Sequence, residues 1–203
     1  IYDKPLYVGT SILDLSNLCM MQFHYDVINK EFHNNYDLIY SDTDSLVYNI
    51  KTDDLYDWIK NNKTYFDLSD SKRPELKDDT NKKVLGKFKD ELNSLIMTEF
   101  LTLNPKVYSI NYYDNLENSS IKNKKTLKGV SKTTVKNEIS HDNYVSVLNT
   151  DKKELRNVCS IRLFNHQLFT FVQEKVALCS YHDKLNMIDY NTLVPFGFIR
   201  TNN

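Results

Sequence analysis

Two aspartates one residue apart, Asp42 and Asp44, sit in the run Tyr40-Ser41-Asp42-Thr43-Asp44-Ser45, with apolar β-prone residues on both sides. Carboxylates held this close repel one another where no helix dipole or lysine neutralises them, so a bound cation is the natural remedy. Magnesium suits such a place: one or two carboxylates bind it, and water and substrate phosphates complete its shell. The plainer alternative is a polar turn whose Asp and Ser side chains bond their own backbone. The flanks Leu38-Ile39-Tyr40 and Leu46-Val47-Tyr48-Asn49-Ile50 weaken that alternative, because they make the turn the rigid tip of a hairpin. An EF-hand calcium loop is excluded, since its third ligand position would be Leu46 and no Gly follows at its sixth position.

The elements that must hold this tip can be read from hydrophobic period. Ile12, Leu15, Cys19, Phe23 and Val27 recur at helical spacing and predict a helix from Ser11 to Ile28 with that face in the core. Thr52-Asp53-Asp54 offers an N-cap and an acidic first turn to a short helix through Trp58 and Ile59. Asn61 to Lys82 is polar and irregular. Lys83 to Lys89 and Lys106 to Tyr112 read as strands, each basic on one face. Beyond Gly129, Ser131 to Ile139 and Ser140 to Leu148 read as short helices, and Leu163 to Leu178 as a hairpin turning near Asn165-His166. The pattern is that of an α+β chain.

Composition narrows the functional classes. In 203 residues, 40% are hydrophobic and 26% charged, ordinary for a soluble globular protein, and no run approaches the ~18 apolar residues of a membrane span. The first residues, Ile1-Tyr2-Asp3-Lys4-Pro5, include no initiator Met and no signal-peptide pattern, so the chain is expected to be cut from something longer. Cys19, Cys159 and Cys179 are odd in number and scattered, which argues for a reducing, intracellular compartment and against a disulfide or zinc framework. Net charge is −1, yet between Asn118 and Asn137 there are six lysines, Lys122, Lys124, Lys125, Lys128, Lys132 and Lys136, and no acid. Such a run is either a solvated loop or a phosphate-binding strip. Gly86-Lys87 lacks the flanking Gly and Ser or Thr of a P-loop, and His24, His33, His141, His166 and His182 show no zinc spacing. Trp58, Tyr112 and Tyr113 could stack on bases, although aromatics at such spacing read first as core.

Tyr40-Ser41-Asp42-Thr43-Asp44-Ser45 resembles the Tyr-x-Asp-Thr-Asp-Ser motif of family B DNA polymerases, and the segments downstream resemble their protein-primed branch in the right order. Lys83-Val84-Leu85-Gly86-Lys87-Phe88-Lys89-Asp90-Glu91 is similar to the Lys-x-Leu-Gly segment after the carboxylate hairpin. Lys106-Val107-Tyr108 is similar to the Lys-x-Tyr motif that contacts the primer terminus, and Lys125-Thr126-Leu127-Lys128-Gly129-Val130 resembles the basic palm-to-thumb junction. Asn165-His166-Gln167 and Tyr181-His182-Asp183-Lys184 resemble thumb segments, and Lys4-Pro5-Leu6-Tyr7-Val8-Gly9 with the helix after it resembles the stretch between fingers and hairpin.

The resemblance implies the C-terminal part of a polymerase palm over residues 1–128, an antiparallel sheet with packed helices, followed by a small thumb over 129–203. It implies a DNA-directed DNA polymerase that transfers nucleotides from dNTPs to a primer 3′-hydroxyl with two Mg2+ ions. The implied partners are primer-template DNA and a terminal priming protein, with no membrane. Asp44 then ligates the metal pair together with an aspartate of an earlier motif, Asp42 tunes the charge beside it, and Thr43 and Ser45 support the turn. Lys106, Tyr108, Lys87, Lys89, Lys125 and Lys128 are the implied primer and DNA contacts. Residues two apart on a strand share a face, so Lys106 and Tyr108 are expected to meet the same nucleotide backbone.

The family's Asp-x-x-Ser-Leu-Tyr-Pro motif, its fingers motif and its exonuclease do not occur in these 203 residues, so the chain alone is read as an incomplete enzyme. Ser41 stands where Gly, Thr or Cys is commoner, His182 and Leu185 replace an acidic and a basic residue, and Pro195-Phe196-Gly197 differs from the usual ending. A non-catalytic duplex-binding module derived from a polymerase is the main alternative. A metal-dependent phosphohydrolase using the aspartate pair alone is a more distant one.

Overall fold

Leu and Met recur through the stretch after Pro5, and they propagate helix well once it is started. In the computed structural model, which describes residues 4–117, 120–181, 185–189, 192–195 and 197, helix α1 spans Leu6–Gln22. It runs without a break into a π-helical segment, Phe23–Ile28, and then into α2, Asn29–Phe32. His33, at φ 47, ends it. The expected helix is therefore present and longer at both ends. Its expected core face holds only in part: Phe23, Ile28 and Phe32 are buried, but Ile12 and Leu15 are 63% and 64% exposed. The reason is the position of the neighbouring hairpin, whose Tyr36, Leu46, Tyr48 and Ile50 pack against the helix from Phe23 onward.

That hairpin pairs β1, Tyr36–Asp42, with β2, Ser45–Ile50, in antiparallel register from Tyr36↔Ile50 to Asp42↔Ser45. Helix α3, Leu55–Asn61, comes next. Its N-cap is Asp54, whose carboxylate accepts from the Tyr56 and Asp57 amides, while Trp58 packs on Phe32 and Phe66 as core. The long polar stretch after it contains few strands to pair its backbone, and buried or half-buried aspartates take over that task. Asp67 accepts from the amides of Ser69 and Lys83, and Asp90 from those of Leu92 and Ser94. The strand expected over Lys83 to Lys89 is not formed. Lys83 and Gly86 both have positive φ, 57 and 77, which no strand tolerates, and only Phe88 makes an isolated bridge, to Phe66, while its ring stacks on Phe23 at 4.1 Å.

The described residues divide into two units: the first runs to Ile96 and includes Tyr113–Ser120, and the second holds Met97–Tyr112 and the chain from Ile121 onward. In the second, β3 (Met97–Asn104), β4 (Val107–Tyr113) and β5 (Ile121–Leu127) form a sheet in that order. The lysine run thus begins as a strand. Helices α4, Lys132–Glu138, and α5, His141–Thr150, come after it, close to expectation. Ser131 caps the first, and Ser140 with Asn143 makes a reciprocal capping box on the second. Leu101, Leu127, Val135, Ile139, Tyr144, Val147 and Leu178 share one core. Strands β6, Glu154–Phe164, and β7, Gln167–Leu178, make a long ribbon turning at Asn165-His166, both at positive φ, as a two-residue hairpin turn requires. A small pair, β8 (Leu185–Asp189) with β9 (Thr192–Pro195), comes last. His182 to Lys184 and Phe196, singled out in the sequence, lie outside the described residues. No described helix is long and apolar enough to cross a membrane.

Asp67 shows how the irregular region is held. Its residue is buried, and hydrogen bonds from Ser69, then from the Lys83 amide, hold its carboxyl down to about 2. A depressed folded-state value stabilises the fold in full above the ordinary carboxylate range, and that contribution is lost as pH falls through about 2. Asp67→Ala is expected to lower stability at neutral pH by about 1–3 kcal/mol. Urea unfolding of both proteins should show the gap narrowing as pH falls from about 4 toward 2; a constant gap would mean that the carboxylate charge is not what matters.

Candidate functional site

Register places the two aspartates. Because Asp42 pairs with Ser45, only Thr43 and Asp44 form the connection between β1 and β2. One residue of β1, Ile39, is extra in the ladder, a bulge between the pairs Leu38↔Tyr48 and Tyr40↔Val47. Leu46 packs on the core, so its partner Ser41 shares that face, while Tyr40 and Asp42 alternate to the opposite side. Asp42 is half-buried and Asp44 exposed. Three local bonds fix the tip: the Asp44 amide and the Ser45 hydroxyl donate to the Asp42 carbonyl, the latter at 3.2 Å, and Thr43 Oγ1 donates to Asp42 Oδ1 at 3.2 Å.

Thr43 has φ 35. Turns of this length want Asn, Asp or Gly where φ is positive, and a β-branched residue there is strained. The oxygen donors Asp42 and Asp44 suit a hard cation, and two carboxylates are enough for magnesium, which keeps several waters. Among the described residues, no group of three or more His, Cys, Asp or Glu gathers closely enough to hold a metal ion. Whatever a cation needs beyond these two carboxylates comes from water, substrate or another segment.

The basic residues fall into distinct surroundings. In the first unit, Lys87 Nζ donates to the Thr64 carbonyl at 2.6 Å, and Lys89 pairs with Asp70 at 2.5 Å. Both stand in the irregular stretch rather than on a strand. In the second unit, Lys106 is not on β4 but in the two-residue turn Pro105-Lys106, at φ 64. The expected sharing of a strand face by Lys106 and Tyr108 therefore does not hold, because the alternation begins only at Val107. Tyr108 lies on β4, half-buried, its ring stacked on Phe100 at 5.6 Å. The Lys125 ammonium donates to the Ile139 carbonyl at the end of α4. Lys128 is exposed, and its amide donates to the Lys106 carbonyl at 3.2 Å, which brings the Lys-x-Tyr turn beside the end of the lysine strand.

One polar cluster escaped the sequence reading. His141 Nδ1 lies 2.8 Å from Ser109 Oγ, and His141 Nε2 lies 3.0 Å from Glu99 Oε2, off the line of its N–H. Asn123 donates to Ser109 Oγ and to Asn111 Oδ1, both at 2.8 Å, and Asn111 donates to Glu99. Serine, histidine and carboxylate in contact suggest a nucleophile relay, but Ser109 is 0% exposed, so no substrate reaches it. The cluster ties β3, β4, β5 and α5 together. Its members are far apart in sequence, and only the cross-strand pair Glu99↔Asn111 leaves any local signal.

No protein-family model, curated protein or solved structure matches this chain. The site must stand on its own geometry. Relief of the Thr43 strain is one check: Thr43→Gly is expected to be at least as stable as Thr43→Ala, reversing the usual glycine penalty of about 0.5–1 kcal/mol. Urea midpoints measure it, and a glycine variant weaker by that penalty would show that the turn is relaxed.

Proposed function

We propose that this chain is the C-terminal palm and thumb part of a family B DNA polymerase of the protein-primed kind. The observation that carries the reading is the Tyr40–Ser45 motif at the tip of a register-closed hairpin, with one carboxylate on either side of a strained residue. Strained backbone persists where the surroundings over-determine it, and it clusters at functional sites. Asp44, exposed on the connection, is the ligand this reading assigns to the metal pair, and Asp42, held by Thr43, is its charge-tuning neighbour. A pair of magnesium ions there would supply Lewis-acid activation of the primer 3′-hydroxyl and neutralise the triphosphate. The chain's own part is to hold two carboxylates at fixed spacing with little freedom to reorganise.

Exposed Lys128 and the adjoining Lys106 turn support the DNA side of the reading, since lysines grip phosphate without reading bases. This pair needs no metal, and so it favours equally the rival reading of a duplex-binding module.

Two measurements separate the two, and a third tests the DNA binding that they share. Manganese, titrated into this chain as a paramagnetic probe, is expected to broaden the amide signals of residues 41–46, and Asp44→Ala to abolish the effect. Primer extension by the chain joined to its upstream reading frame is expected to fall at least about a hundredfold with Asp44→Ala. Lys128→Ala should lower the salt slope of duplex binding by about one. A protein that binds duplex through Lys106 and Lys128 yet extends no primer in either version overturns the catalytic reading and leaves the binding module.

A further inference from the structure

The two faces of the β6–β7 ribbon differ. On one, Val158 is buried and the Arg162 guanidinium lies over the Phe171 ring at 4.3 Å. On the other, the cross-strand pairs Leu163↔Leu168, Cys159↔Val172 and Leu155↔Val176 form an apolar strip with Ile161 between them. Its exposure runs from 38% at Val176 to 75% at Leu168. No Lys or Arg lies on this face between Leu155 and the turn or back to Val176, and its one acid is Glu174. Neither a nucleic acid nor an anionic lipid surface matches such a strip, because both require cations.

The strip matches itself. Leu163↔Leu168 lies four residues to one side of Cys159↔Val172, and Leu155↔Val176 four residues to the other. A twofold axis through the Cys159↔Val172 pair therefore sets the tip of one ribbon on the base of another, Leu163 and Leu168 on Leu155 and Val176, with Ile161 opposite Asn157. The same axis brings Thr170 opposite Glu174, a hydroxyl donor to a carboxylate. A standard interface takes roughly 800 Å² from each partner, and a strip made of a few half-exposed to exposed side chains supplies less, which suits a weak dimer.

We propose that this face of the ribbon docks on the same face of a second copy of the chain, as a weak, micromolar homodimer with Cys159 at its axis. Packed sheets lie about 10 Å apart, too far for a disulfide but within reach of a short bis-maleimide.

Sedimentation across a concentration series tests this, together with cross-linking by that reagent. The expected result is a mass rising to that of a dimer, with the rise lost in Val172→Asp and in Thr170→Glu, which sets like charges opposite one another at Glu174. Both positions are exposed, so far-UV circular dichroism should not change. A cross-linked dimer should form in Cys19→Ser, which removes the half-buried thiol, and be absent when Cys159→Ser is added; Cys179 is buried and should not substitute for it. A monomer at every concentration overturns the proposal. So does a dimer indifferent to both substitutions, or one that cross-links equally well without Cys159. Flotation of a monomeric chain with neutral phosphatidylcholine vesicles, lost in Val172→Asp, would overturn it in favour of lipid.

Discussion

Burial of Phe23, Ile28 and Phe32 against the face made by Tyr36, Leu46, Tyr48 and Ile50 is the constraint on which the candidate site depends. A strand slipped by one residue turns every side chain to the other face, so this packing allows only one register for β1 and β2. Register in turn decides that Thr43 and Asp44, and no others, make the connection. His24 adds a polar pin: its Nδ1 lies 2.9 Å from the Tyr48 hydroxyl, and burial, with Tyr36 nearby, pushes that phenol above its usual range. The local hairpin pattern thus sets the carboxylates, packing on Phe23, Ile28 and Phe32 locks them, and the strain at Thr43 is held by the same packing.

The second unit is organised on a different principle. Its helices are capped by serines and its core is centred on Tyr144, Val147 and Leu178, while polar contacts do the long-range joining. Asn104 donates to the Cys179 carbonyl, Tyr144 to that of Thr126, and Lys125 to that of Ile139. Two of the lysines that composition alone would assign to phosphate therefore differ in circumstance: Lys125 serves the end of a helix, and Lys128 faces solvent. A run of like charges read as one strip resolves into separate tasks once alternate residues face different ways.

How far the sequence could be read depends on the range of the physics involved. The carboxylate hairpin, the two capped helices and the Asn165-His166 turn were legible, because each is set by residues within a few positions of one another. The core face of α1 was not, since period shows that a face is apolar but not what covers it. The strand expected over Lys83 to Lys89 failed for a related reason. It alternates only from Gly86 to Lys89, and Lys83 and Gly86 adopt positive φ, with the Phe88 ring on Phe23 and the Lys83 amide donating to Asp67. The Ser109, His141 and Glu99 cluster, built from three separate elements, left no local pattern beyond the cross-strand pair of Glu99 with Asn111.

The π-helical segment Phe23–Ile28 also bears on the helix before it. Its wider turns hold an extra residue relative to a regular helix, so the segment takes up that residue without turning α1 about its axis. Deleting one residue there would restore regular winding and leave α1 near its present azimuth, whereas deleting one from α1 itself would rotate everything before the deletion by about 100°. The buried anchors Ile28 and Phe32 would keep their places in both cases. The segment therefore acts as slack in the winding: it can lose a residue while Leu6, Tyr7 and Leu18 keep their side of the helix.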